Sequence, residues 1–239
     1  MRPAARSGSM LRKHLFRLSW VFMGLIIMLR VYPVKTHTLT SSPRPARSYA
    51  ESLQRIQALE SSDSSAVAQE GRLIFLDQGD TVPHVIVFFH GFTNSPRQFK
   101  ALGEEFHKRG YNVLIPRIPH HGLQDRMGAD LARLTAEELK AACEEAVDIA
   151  QGLGEHVTVA GLSMGGVMAG WAAQFREDID QAVLIAPSFG TFRAPSWLVK
   201  HTINLLTLWP NRFIWWDPRL KTGNAGPESA YYGFSSRAL

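Results

Sequence analysis

The stretch His156-Val-Thr-Val-Ala-Gly-Leu-Ser-Met-Gly-Gly166 leaves this chain few ways to fold. Val157 to Ala160 is an apolar, largely β-branched run of the kind that forms a buried strand. Gly161-Leu-Ser-Met-Gly165 then turns sharply, and Val167 to Ala173 continues as an apolar helix. A bare Gly-x-Ser-x-Gly arises by chance in roughly one chain in ten of this length. Between a strand and a helix it has a steric purpose. The glycines let the two elements approach closely, while the serine sits in a strained backbone region with its hydroxyl lifted above the sheet. Ser163 is therefore the candidate nucleophile, placed at the positive end of the following helix.

Upstream residues supply what such a serine needs. Val85-Ile-Val-Phe-Phe89 is a continuous apolar run, the pattern of a strand in a parallel sheet, and it ends in His90-Gly91-Phe92-Thr93. A serine of this kind uses two backbone donors for a developing oxyanion: the N–H after the nucleophile, here Met164, and one from the loop after an earlier strand. Phe92 is the candidate for the second, with Gly91 allowing the turn. The His90 imidazole is expected to be structural. Ser95, Pro96 and Gln98 predict a capped helix running to Gly110, followed by a strand at Tyr111–Pro116 and a loop carrying His120 and His121. The two histidines are expected to pack toward the substrate side. Thr135 and Glu138 form a second capping box, opening a helix with an apolar face at Leu139, Ala142, Cys143, Ala146, Val147 and Ala150. Another strand is expected over 179–186. Strands alternating with helices predict an α/β architecture with a doubly wound, mostly parallel sheet.

Charge patterning bears on partners. The formal net charge of the 239 residues is +5, yet residues 1–50 hold nine of the 26 Lys and Arg and no Asp or Glu. The remainder carries 17 basic against 21 acidic residues, so the high overall charge belongs to the N-terminal segment and gives no case for nucleic-acid binding by the folded region. One cysteine, Cys143, excludes intrachain disulfides and cysteine-rich metal sites. No metal or cofactor is expected. The N-terminus has Arg2, Arg6, Arg12, Lys13 and Arg17 before the apolar stretch Leu18–Leu29, which extends to Val34 when counted across Arg30. This pattern predicts a membrane segment over 1–34: an uncleaved signal anchor holding the rest of the chain on the extracytoplasmic side, with a cleaved signal peptide as the alternative. Residues 35–69 are expected to link it to a core over 70–188, and 189–239 to form a partial helical cap rich in aromatics.

With His90-Gly91-Phe92-Thr93, Pro119-His-His-Gly122 and Gly161-Leu-Ser-Met-Gly165 in this order, the chain resembles the α/β-hydrolase superfamily. Within it, the chain looks most like bacterial carboxylesterases and monoacylglycerol-lipase-like proteins, a branch that shades into serine aminopeptidase-like sequences. The resemblance implies a serine attacking a hydrophobic carboxylic ester, with Ser163 as nucleophile and Phe92 and Met164 as oxyanion donors. It also implies an acid and then a histidine after the serine. Beyond Ser163 the chain contains one histidine, His201, within an expected amphipathic lid helix, and Asp217 follows it in the wrong order. The chain is therefore expected to stop inside the cap, lacking the family's acid and base. A catalytically deficient, membrane-tethered binding protein of the same fold is the competing reading, and an acyltransferase or peptidase is a third. The sequence does not fix an oligomeric state.

Overall fold

The computed structural model describes residues 7–31, 39–126, 128–190, 210, 212–215 and 230–235, with the side chains of the first helix described over 12–27. The expected lid helix, His201 and Asp217 lie outside the described residues. The chain divides into two compact units, Met1–Thr36 with Gly190–Pro210, and His37–Phe189 with Asn211–Leu239.

In the first unit the described element is α1 (Ser7–Val31), a helix of 25 residues. Its large apolar side chains from Leu15 to Ile27 are exposed, Val21 at 69%. Among the described residues no helix is long and apolar enough to cross a membrane. The expected span depended on counting across Arg30, and Arg12, Lys13 and Arg17 share the same helix.

In the second unit the sheet forms in the order β1-β3-β2-β4-β5. The strands are β1 (Ile74–Leu76), β2 (Val82–Phe89), β3 (Asn112–Ile115), β4 (Gly154–Leu162) and β5 (Gln181–Ile185). The β3–β2–β4–β5 pairs are parallel and β1 alone is antiparallel, so the expected mostly parallel sheet is present. Successive side chains of β2 point to opposite faces, and both faces are covered. Val85, Val87 and Phe89 face one core, built with α2 (Tyr49–Ser62), α4 (Ala136–Ala150) and α5 (Met164–Phe175). Ile86 and Phe88 face the other, where Phe99 and Phe106 of the α3 region (α3, Lys100–His107) pack their rings on Phe88. Such double burial explains the unbroken apolar run of β2. The outer strand β5 contrasts with it: Val183, Leu184 and Ile185 are each more than a third exposed.

Local signals are realised with one exception. The Thr135–Glu138 capping box forms in full at the start of α4. At Ser95 the side chain makes no cap hydrogen bond, and the chain enters α3 through a 3-10 turn, Pro96–Phe99. The Gln98 side chain, expected to close a capping box, instead accepts the Gly91 N–H at 2.8 Å.

Residues 39–48 run as an extended strap over α4 and α5. Glu144 accepts from the Ser41 hydroxyl and the Ser42 N–H, Asp148 accepts from the Arg44 N–H, and the Trp171 indole N–H donates to the Leu39 carbonyl at 2.7 Å. Arg55 of α2 adds an ion pair to Glu145 at 2.7 Å. The fully buried Arg176 side chain bridges Asp148 and Asp178 at 2.7 and 2.6 Å. A short two-stranded ribbon, β6 (Phe213–Trp215) and β7 (Gly233–Ser235), belongs to the same unit.

Candidate active site

Ser163 stands between β4 and α5 with φ 55° and ψ −112°, a positive-φ backbone that a serine adopts only under constraint. The constraint is visible on both sides. The Ser163 N–H donates to the Ile185 carbonyl at 2.9 Å, and its carbonyl accepts from Val167 N–H at 3.1 Å and Ser188 N–H at 3.3 Å. A Cβ on Gly161 would fall on the Gly165 carbonyl oxygen, and one on Gly165 would fall on the Phe89 carbonyl oxygen. Only glycine lets the turn press this closely against the end of β2.

The turn forms one wall of a crevice of 430 Å3 that also includes Phe92, Asn94, Met164, Val167 and Ser188. That volume lies in the usual range for a small-molecule site. The three residues singled out from the sequence, Ser163, Met164 and Phe92, thus line one space. Among the described residues, no hydrogen bond uses the N–H of Phe92 or Met164. For Met164 this follows from its place in the first turn of α5, where N–H groups have no intrahelical partner. None of the described crevice residues carries a titratable side chain.

The loop bearing Phe92 is held from behind by residues distant in sequence. The ring of His90 is fully buried and spans two loops: Nδ1–H donates to the Gly91 carbonyl at 2.9 Å, and Nε2 accepts the Ile118 N–H at 3.4 Å. This matches the structural role expected for it. His121 differs from expectation. Rather than packing toward the substrate, it is fully buried behind the loop, Nε2 lying 2.6 Å from the Phe92 carbonyl and Nδ1 2.8 Å from that of Pro119. A neutral ring donates to only one of these at a time. Burial drives the His121 pKa down to about 4, the carbonyl contacts offsetting part of that effect. His90 is lowered well below the usual histidine range by burial and then by the neighbouring His121. His120, at φ 65°, turns away and pairs with Glu138 at 3.1 Å.

Tyr231, just before β7, completes the brace. Its N–H donates to the Thr93 carbonyl at 2.8 Å, while its hydroxyl accepts the Leu123 N–H at 3.0 Å and donates to the His120 carbonyl at 3.3 Å. Its ring meets that of His121 edge-on with centroids 5.9 Å apart. Sequence reading missed this residue, because nothing local to Tyr231 marks partners as far back as Thr93 and Leu123. Among the described residues no cluster of three or more His, Cys, Asp or Glu could hold a metal ion. Cys143 is buried, its thiol pKa pushed up by that burial, and its S–H donates to the Met168 carbonyl at 3.5 Å.

Comparison with known proteins gives the family. Residues 86–238 match the model of the alpha/beta hydrolase family. A thermostable monoacylglycerol lipase of Bacillus sp. (strain H-257) is 33% identical over 97 residues, 41% of this chain and 38% of that protein. A putative esterase/lipase of Mycoplasma pneumoniae is 33% identical over 105 residues, 43% of this chain and 36% of that protein. The chain therefore spans well under half the length of these curated relatives. Among solved structures, one reported for the metagenome-derived lipolytic enzymes LipS and LipT superposes with a TM-score of 0.51 at 23% identity, covering 72% of this chain and 66% of that one. That likeness shows the fold.

Proposed function

The chain belongs to the α/β-hydrolase family, and from that premise we propose that it is a serine hydrolase acting on carboxylic esters with hydrophobic acyl groups. The observation that carries the reading is Ser163, held at φ 55° in the wall of a crevice that it shares with Phe92 and Met164. In this reading Ser163 Oγ attacks the ester carbonyl carbon and gives up its proton to a base. The carbonyl oxygen becomes an oxyanion held by the Phe92 and Met164 N–H groups and by the positive end of α5. Collapse of that intermediate breaks the ester C–O bond, and the protonated base returns its proton to the departing alcohol oxygen. The acyl-serine left behind is cleaved by water to the free acid. The lipase and esterase names of the relatives support ester chemistry.

A fluorophosphonate probe tests the nucleophile directly, because it bonds only to an activated serine. Labelling is expected on Ser163 and is expected to vanish in Ser163→Ala, with ester hydrolysis falling by on the order of 10^4-fold or more. Protein that resists the probe, or labels equally without Ser163, would falsify the enzymatic reading. It would favour the second one, a non-catalytic binding protein of the same fold, which draws support from the lack of a titratable group among the described crevice residues.

The same proposal has the N-terminal segment 1–34, which runs past the end of α1, holding the chain at a membrane with the hydrolase unit on the extracytoplasmic side. Its supports are the exposed apolar side chains of α1 and the basic residues preceding them. Release of the full chain from membranes by alkaline carbonate would refute the anchor, and detection of a shortened, freely soluble form would favour cleavage and secretion.

A further inference from the structure

Two helical stripes face each other beside Ser163. On α5, Met164, Val167, Met168 and Trp171 recur at helical spacing, and on α4, Ala136, Leu139, Lys140 and Cys143 repeat the same intervals. Together with Leu39 of the strap they line a cavity of 120 Å3 that is open on one side. Each polar group in its wall is engaged elsewhere. The Trp171 indole N–H donates to the Leu39 carbonyl, the Cys143 S–H to the Met168 carbonyl, and the Lys140 ammonium reaches Glu144 at 3.5 Å, leaving its alkyl stem as lining. What faces the space is hydrocarbon and thioether. A cavity with no polar group to offer binds water poorly and favours apolar guests.

Position adds a second observation. Met164 and Val167 line both this cavity and the Ser163 crevice. The shared wall begins one residue after the nucleophile, so the cavity lies directly beside the place where an acyl group on Ser163 would sit.

We infer that this cavity seats the end of the substrate's aliphatic acyl chain and sets its length. The inference rests on the ester-hydrolysis reading above and adds a substrate class to it. A cavity of about 150 Å3 admits a benzene ring, so 120 Å3 takes roughly four or five carbons. With the first carbons lying in the Ser163 crevice, the fit is best for acyl chains of roughly six to eight carbons.

Binding is read separately from turnover, using the full chain labelled with 13C at its methionine methyls and assigned through Met164→Leu and Met168→Leu. On titration with the free acids, hexanoate and octanoate are expected to shift the Met168 methyl signal, and acetate is not. In Leu139→Phe, whose larger ring enters the cavity, the shift is expected to disappear. Should that variant fold poorly, Leu39→Ala serves instead: it widens the mouth and moves the best-binding acid to a longer chain. In parallel, kcat/KM is measured for p-nitrophenyl esters from C2 to C12. It is expected to rise about fourfold per methylene until the cavity is full, with the optimum moved to shorter chains by Leu139→Phe. Methyl shifts without hydrolysis of any ester would uphold the cavity and discard the hydrolase reading. A Met168 signal unmoved by every acid, with a length profile that Leu139→Phe leaves unchanged, would overturn the cavity assignment.

Discussion

The two walls of the Ser163 crevice are built in opposite ways. On the nucleophile side the sequence signal lies between Val157 and Ala173: an apolar strand, a glycine-flanked turn and a helix start, which the glycines let press against the end of β2. On the Phe92 side the loop is short and has no regular structure. Its position is set by Gln98, His121 and Tyr231, the last of them near the opposite end of the chain. Sterics fix the first wall and buried hydrogen bonds fix the second. The first should therefore be insensitive to pH but intolerant of a single methyl group, and the second the reverse.

The most severe test of the nucleophile wall is Gly165→Ala. Its new Cβ meets the backbone of Phe89, which cannot swing aside as a side chain could. A loss of about 4 kcal/mol or more is expected, a fall of roughly 8–16 °C in Tm on calorimetry. A fall of only a degree or two would mean that the turn and β2 are less tightly pressed than the structure has them.

Acid should act on the other wall. In the folded state His121 has its pKa lowered to about 4, against about 6.5 in an unfolded chain. Between those values the unfolded state binds the extra proton, so this stabilisation is complete above pH 6.5 and is lost as pH falls toward 4. The size is about 3 kcal/mol, and His90 adds to it in the same direction. Urea unfolding measured from pH 7 to 4 should show this slope, and His121→Gln should flatten it. An unchanged slope in His121→Gln would assign the acid sensitivity to other groups.

His121→Ala tests position as well as stability. It removes the ring that lies between the Phe92 and Pro119 carbonyls and donates to one of them, at a cost of about 1–3 kcal/mol. If the loop then drifts, kcat for esters should drop roughly tenfold with KM nearly constant, the signature of an interaction made only in the transition state. The smallest effect belongs to Tyr231→Phe, which removes one hydroxyl serving two loop groups and should cost about 1 kcal/mol, readable as a shift in the urea midpoint.

Much of the fold was legible because its signals are local. The apolar run of β2, the Thr135–Glu138 box and the Gly161–Gly165 turn are each written in a few adjacent residues. Gln98 shows where such reading ends. Its spacing from Ser95 meets the requirements of a capping box, but the Gly91 N–H competes for the same side-chain oxygen and wins it. Residues 39–48 show the same limit. They are Ser-, Thr- and Pro-rich with no period, so their composition matches a linker, yet their N–H groups find Glu144 and Asp148 on a helix far along the chain.

By itself, then, the sequence determined the strand–turn–helix around Ser163, the mostly parallel sheet and the identity of three of the residues that line the crevice. Tertiary structure alone decided that His121 braces Phe92 from behind rather than facing a substrate, that Tyr231 locks the same loop, and that α4, α5 and the strap leave an apolar cavity beside the nucleophile. The division has one physical cause. Steric limits and helical periodicity act between near neighbours and are written in spacing, whereas a buried hydrogen bond or an unfilled gap depends on which distant surfaces the sheet brings together.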